Sequence, residues 1–504
     1  MKALFLLLLS VPALNGQAGS DLFRIYQERY RERLVPLLCE AVAFPTEPGN
    51  RDAVARQAAW LEQQAKALGL DYRPAGPVTE LELPARPGAP VLGLLVHGDV
   101  QPAGAEDWTA PPFRCTMRDG SVYGRGTADD KGPLVQALLA MAALRDAGGS
   151  RTYTVRLLVG SDEESGNQDI ATYLASHKAP DLTLVLDSSF PMVVGEKAWD
   201  GWEVSAAEPY RIRSRPQAPW AIQKVEAGVA ASIVPQRAVA RLQWRGGDRS
   251  GFDAALRALC PAAIPEGYHC SATQADGDAV VTVTGKAAHS GMNIEGGRNA
   301  LVFLARALQG KLAPCGAADL LDLAVMAGKD LHGGGLRLSQ RDPRWGRYNS
   351  NVALLKPGTD GKLTLTINLR RIPPLTHQQI QAHLAGVLAD FNRQRWIALE
   401  SGGYFQDEPF MVPADAKLVR RLLAIYRRAT GEAAQPSIAG GATYARRLPN
   451  AVAFGMWFPD KPYPGHDADE HIAIADLQRG IKVLLEALAE FTSQAPLEEP
   501  LRQE

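Results

Sequence analysis

Val91-Leu92-Gly93-Leu94-Leu95-Val96-His97-Gly98-Asp99 is an apolar run of strand length that ends on a histidine and a carboxylate. A strand without polar alternation fits a sheet covered on both faces, the arrangement of α/β proteins. The same texture returns at residues 153–159, 182–186 and 451–457. Helical patterns lie between these runs. Residues 52–68 repeat apolar positions at three- and four-residue steps, residues 133–144 have a proline at the start and Gly148 beyond the end, and residues 169–176 follow. Strands alternating with helices predict an α/β domain.

After Asp187 the texture changes. Residues 202–374 mix period-two strands, such as Val281 and Val283 against Thr282 and Thr284, with one long helical stretch at 300–308. This reads as an inserted α+β domain. A helix–strand pattern resumes at 378–391, 416–430, 451–457 and 476–491, so the first domain is expected in two parts, 19–201 and 375–504. A chain of 504 residues is too long for one core, which agrees with two domains.

The 46% hydrophobic and 22% charged fractions are those of an ordinary soluble protein, and a net charge of −1 gives no field favouring nucleic acid or an anionic membrane. Lys2, the apolar residues 3–9, Pro12, Gly16 and Ala18 have the layout of a secretory signal peptide covering 1–18, so the chain is expected to be exported, periplasmic or secreted. No other stretch reaches membrane-spanning length, and no membrane anchor is expected. Of five cysteines, Cys260 and Cys270 are close enough to close a small loop in an oxidising compartment, with buried free thiols as the alternative. None forms a CxxC pair, so any metal should be held by imidazole and carboxylate.

Such groups stand at the strand ends. Residues 91–96 lead into His97 and Asp99, 153–159 into Asp162-Glu163-Glu164, 182–186 into Asp187, and 451–457 towards His466. Ligands of open α/β sheets bind beyond the carboxyl ends of the strands. His97 and Asp99, two apart, face the same way on an extended chain, so Asp99 is placed to accept from the imidazole N–H not on metal. Adjacent Glu163 and Glu164 repel unless cations are near, in which case one ligates while the other takes a proton from water. Gly124–Gly132 is a glycine-bearing turn entering a helix; it lacks the GxxxxGK[ST] of a phosphate loop, and of Asp129 and Asp130 one is an N-cap and the other free to bridge metals.

Taken together, these motifs resemble the dinuclear zinc peptidases that include carboxypeptidase G, succinyl-diaminopimelate desuccinylase, aminoacylase, carnosinase and the bacterial dipeptidase V type. Asp187-Ser188-Ser189-Phe190-Pro191 with Gly195-Glu196-Lys197, Gly440–Arg446 and His466-Asp467-Ala468-Asp469-Glu470 are nearest to the last. The resemblance implies a catalytic domain with a mixed sheet flanked by helices, interrupted by an α+β lid domain. It implies two divalent ions, zinc or else manganese or cobalt, held by His97, Asp129, Glu164, Asp187 and His466, with Asp129 bridging. Glu163 matches the general base and Asp99 the carboxylate behind the His ligand. His289, in Gly285–Gly291, matches a residue that polarises the scissile carbonyl, and Arg370 one that grips the substrate carboxylate. His466 fits the motif better than His471.

Two departures stand on the substrate side: Ser232 where the family often has Asn, and Arg371-Ile372-Pro373 after Arg370, where an aromatic is more usual before the Pro. The expected activity is a dipeptidase acting on small peptides with a free C-terminal carboxylate, in a monomer or homodimer. The alternatives are an N-acyl amino acid deacylase using the same centre and, more remotely, a non-catalytic binding protein.

Overall fold

The structure, a computed structural model, describes residues 12–104, 108–213, 218–246, 249–358, 360–463, 465–497 and 501. Of the expected leader, residues 1–11 lie outside the described residues, and a helix occupies Pro12–Arg29. Two compact units divide the chain: Met1–Val194, Met411–Ser437 and Thr443–Glu504 form the first, Gly195–Phe410 and Ile438–Ala442 the second.

In the first unit we label six strands: β1 (Asp71–Ala75), β2 (Val78–Leu83), β3 (Val91–His97), β4 (Thr154–Gly160), β5 (Leu182–Val185) and β6 (Ala451–Ala453). Their spatial order is β1-β2-β4-β3-β5-β6. β3 pairs in parallel with β4 and β5, and β6 in parallel with β5, whereas β1–β2 and β2–β4 are antiparallel. The sheet is therefore mixed, and its four parallel strands end at one edge. β3 is buried from Leu92 to His97, as its unbroken apolar run requires.

A helix over Lys131–Ala147 is buried at every residue from Lys131 to Leu144. It packs against β3 and β4, and also against the helices Pro12–Arg29 and Ile474–Ser493. Residues 451–457, expected as one strand, are two. Gly455, with φ +75°, turns the chain after β6, and Met456–Trp457 pairs with Ser188–Ser189. A Cβ at Gly455 would lie 2.4 Å from the Phe190 ring, so both conformation and space require glycine there.

The second unit is built on an eight-stranded antiparallel sheet. Its order is His269–Ala275, Asp278–Thr284, Arg237–Trp244, Trp220–Ala227, Asn349–Pro357, Leu363–Arg370, Trp199–Ala206 and Glu400–Asp407. Ala279, Val281 and Val283 point inward and alternate with half-buried neighbours. Helices Ala300–Leu308 and Gly316–Ala327 complete this core. One disulfide joins Cys260 to Cys270 here, and a second, not foreseen from sequence, joins Cys39 to Cys115 in the first unit.

Candidate metal centre

Beyond the carboxyl edge of the parallel strands, five side chains form two overlapping triads. His97, Asp129 and Asp187 make one and Asp129, Glu164 and His466 the other, with the donor atoms of each within 4.8 Å of one another. Asp129 serves both: Oδ1 lies 2.9 Å from His97 Nε2 and Oδ2 lies 3.1 Å from His466 Nε2. His466 Nε2 is also 3.2 Å from Glu164 Oε2, and His97 Nε2 is 3.9 Å from Asp187 Oδ2. This donor set of imidazole and carboxylate, without thiolate, suits zinc, manganese or cobalt.

Strand ends and turns set these positions. β3 stops at His97, where Thr46 Oγ1 and Gln57 Nε2 donate to the Gly98 carbonyl at 2.7 and 3.0 Å. His97 Nδ1 faces the Asp99 carbonyl oxygen at 3.0 Å and the Asp99 carboxylate at 3.5 Å. That carboxylate accepts the backbone N–H groups of Glu163 and Glu164 at 3.2 and 3.0 Å, tying the end of β3 to the turn after β4. Asp169 braces the same turn from behind, accepting from Ser161 N at 2.7 Å, Asp162 N at 3.1 Å and the Tyr444 hydroxyl. Gln101 Nε2 donates to Glu164 Oε2 at 2.8 Å. Asp130 occupies the N-cap position of the Lys131–Ala147 helix, but its carboxylate accepts from His97 N–H at 3.1 Å instead of capping.

The site concentrates negative charge. Burial, reinforced by the Asp129 and Asp130 carboxylates, pushes Asp187 well above the usual carboxylate range. Burial and the charge of Asp187 do the same to Glu163. Burial opposes protonation of the imidazoles, yet the surrounding carboxylates prevail. His97 ends well above its ordinary value, held by Asp129 and Asp99, and His466 rises to about 10 beside Glu164 and Asp129. Asp129, although buried, is held well below the usual range by the two imidazoles. Divalent cations are the natural complement of such a group. Glu163 Oε1 is shielded from solvent and has no hydrogen-bond partner among the described residues, which leaves that atom available to a water.

Three residues without an assigned role from sequence belong to this architecture. Glu470 is buried and accepts from Arg125 Nη1 at 2.9 Å and from the backbone N–H groups of Gly126, Ala128 and Asp129 at 3.0, 2.9 and 3.1 Å. It thus clamps the turn that carries Asp129 from the loop that carries His466. Its only sequence signal was its place at the end of the His466–Glu470 motif. Arg125 supplies the countercharge. Tyr463, stacked on Trp457 with ring centroids 4.2 Å apart, donates its hydroxyl to Asp129 Oδ2, and nothing in the sequence marked it. His471 lies apart from the triads in bonding, stacked on Tyr123 at 4.6 Å with Nδ1 facing the Asp469 carbonyl.

The two remaining candidates, His289 and Arg370, belong to the second unit. His289 Nδ1 accepts the backbone N–H groups of Gly291 and Met292, both at 3.0 Å, so the neutral ring carries its proton on Nε2 and can donate from there. Asn351 Nδ2 fixes this loop through Ser290 Oγ at 2.8 Å and the Ile233 carbonyl at 2.9 Å. The backbone carbonyl of Ser232 accepts Ser290 N–H at 2.8 Å, which braces the His289 loop whatever side chain stands at 232. Arg370 Nε donates to Asn368 Oδ1 at 3.0 Å and its guanidinium lies 6.0 Å from the Trp199 ring. Arg371, which opens the other departure, is buried and structural, paired with Asp200 at 2.8 Å and Glu408 at 3.0 Å.

The sequence profile of peptidase family M20/M25/M40 matches residues 93–490. A beta-Ala-Xaa dipeptidase of Lactobacillus delbrueckii subsp. lactis is 29% identical over 413 residues, covering 81% of this chain and 83% of that protein. Two solved structures share the fold. Human carnosine dipeptidase 1 gives a TM-score of 0.57 at 14% identity, covering 94% of this chain and 99% of its own. The di-peptidase Dug1p from Saccharomyces cerevisiae gives 0.58 at 12% identity, covering 95% and 100%.

Proposed function

The chain belongs to peptidase family M20/M25/M40, and from that premise we propose that it is a metal-dependent dipeptidase, cleaving small peptides with a free C-terminal carboxylate at a pair of divalent cations. The observation that carries this is the sharing of Asp129 between two triads, one oxygen turned to each imidazole. A single carboxylate divided in this way suits two ions side by side. The Lactobacillus relative, named for its action on beta-Ala-Xaa dipeptides, supports the substrate class.

His97, Asp129 and Asp187 would hold one ion and Asp129, Glu164 and His466 the other, with zinc the best match to the donors. Bound there, such ions lower the pKa of water and draw electron density from a carbonyl. Glu163 takes the proton of the attacking water on Oε1 and returns it to the leaving nitrogen. His289 donates from Nε2 to the carbonyl oxygen as negative charge builds there. The planar fork of Arg370 receives the C-terminal carboxylate.

Kinetics on a panel of dipeptides, N-acetyl amino acids and N-succinyl amino acids, with added zinc, manganese or cobalt, tests the activity. Dipeptides should be cleaved with the highest kcat/KM; preference for the acylated amino acids makes the protein a deacylase instead. Glu163→Ala should abolish turnover while metal content stays the same, and retained turnover removes Glu163 from the role of base.

Export is part of the same reading. It is supported by the N-terminal apolar run and by two disulfides, which persist in oxidising compartments. Mass spectrometry of the protein from fractionated cells should find an N-terminus at Gly19 in the exported fraction; an intact cytosolic chain contradicts it.

A further inference from the structure

The second unit contains a cavity of about 390 Å³. It shares walls with the segments to which substrate contacts are assigned above. Gly291 and Met292, whose N–H groups bond His289, line it. So does Asn349, which is paired with Arg370 on the neighbouring strand and whose amide donates to the Gly291 carbonyl at 3.3 Å. Three cations and one carboxylate also line the cavity: Lys197, Arg344 and Arg347 against Glu295.

Lys197 is buried at 8% exposure, and its ammonium donates to the Arg347 carbonyl. Arg344 and Arg347 are exposed, and Trp345 between them is buried. Trp345 and Met292 give the lining apolar surface, while Lys197 and the two arginines give it an excess of positive charge. That combination fits a short aliphatic stem ending in a carboxylate.

We propose that this cavity receives the side chain of the substrate's C-terminal residue and selects an acidic one, so that Xaa-Glu and Xaa-Asp are the preferred dipeptides. Arg370 then takes the α-carboxylate and the cavity the second carboxylate. The assignment rests on the dipeptidase reading of the site. Burial has already drawn the Lys197 ammonium down to about 8, with Glu295 raising it and Arg370 lowering it, and an incoming carboxylate adds the countercharge that favours the protonated form.

Ala-Glu and its neutral isostere Ala-Gln test this, with Ala-Ala as the turnover control. The wild type should favour Ala-Glu by about tenfold or more in kcat/KM, and Lys197→Met should remove most of that ratio through KM. The exposed pair Arg344→Gln/Arg347→Gln should lower the ratio in the same direction and guards against misfolding of the buried variant. Equal kcat/KM for the two peptides in the wild type, or a preference that survives both variants, overturns the proposal. Turnover of none of the three peptides is instead a failure of the dipeptidase reading. The cavity is then judged by calorimetry: glutarate should bind about tenfold tighter than its monoamide in the wild type but not in Lys197→Met, and equal binding in the wild type overturns the proposal.

Discussion

Glu470 shows how much of the candidate metal centre is built by residues other than the candidate ligands. Its carboxylate gathers four donors, three of them backbone N–H groups of the turn that ends in Asp129. Glu470→Gln keeps the shape but sets an amide N–H₂ against N–H donors, so the turn loses both charge and acceptors. Metal affinity should fall about 10- to 100-fold, read by competition with a chromophoric chelator. Unchanged affinity removes Glu470 from the support of the centre. Lys197 gives a second prediction. Its ammonium titrates near 8, below the 10.5 of an ordinary lysine, so the cation that favours an acidic side chain is present below pH 8 and lost above it. Glu295, Arg344, Arg347 and Arg370 are the charges around it. The kcat/KM ratio of Ala-Glu to Ala-Gln should therefore drop as pH rises from 7 to 9, since kcat/KM reports the free enzyme. A flat ratio contradicts this. The identities of the ligand candidates were legible because each closes an apolar run or a glycine-bearing turn. The bonds of Asp99 were not: a two-residue spacing places its carboxylate beside His97, but two N–H groups of a distant turn lie closer to it.

At the level of elements, local periodicity located the helices near 52–68, 133–144 and 300–308 and the strand at 91–96, but not the helices Leu34–Val42 and Gly316–Ala327, and long-range contacts decided how elements end. The run at 451–457 is uniformly apolar, yet Gly455 redirects it because Phe190 fills the space beside that glycine. The two disulfides act on elements as well. Cys39–Cys115 spans 76 residues and ties the helix Leu34–Val42 to the segment before Thr116–Arg118, whereas Cys260–Cys270 spans 10. Chain-entropy reasoning makes the first worth about 4 kcal/mol and the second about 3 kcal/mol. Denaturant titration of Cys39→Ser/Cys115→Ser and Cys260→Ser/Cys270→Ser should show losses in that order. Equal stability of the first variant and the wild type contradicts the pairing. Cys260–Cys270 was readable as a possibility from spacing alone. Cys39–Cys115 was not, because only the fold brings those residues together.

On the scale of the whole molecule, the triads belong to one compact unit and the residues assigned to substrate to the other. Metal removal should therefore act unequally. Scanning calorimetry with chelator is expected to lower the transition of the unit that holds the triads, by about 2.7 kcal/mol relative to metal at 100 times its Kd, and to leave the other in place. Equal shifts of both transitions, or none, contradict a metal centre confined to the first unit. The sequence by itself determined the α/β texture and which imidazole and carboxylate side chains stand at the strand ends. Those follow from side-chain period and residue type, which backbone geometry imposes locally. Only the tertiary structure decided that Asp129 divides its oxygens between His97 and His466, that Glu470 clamps its turn, that His289 carries its proton on Nε2, and that Lys197 lines a cavity beside the His289 loop. Each of these depends on partners brought together through space, and pairing at hydrogen-bond range leaves no period in the chain to read.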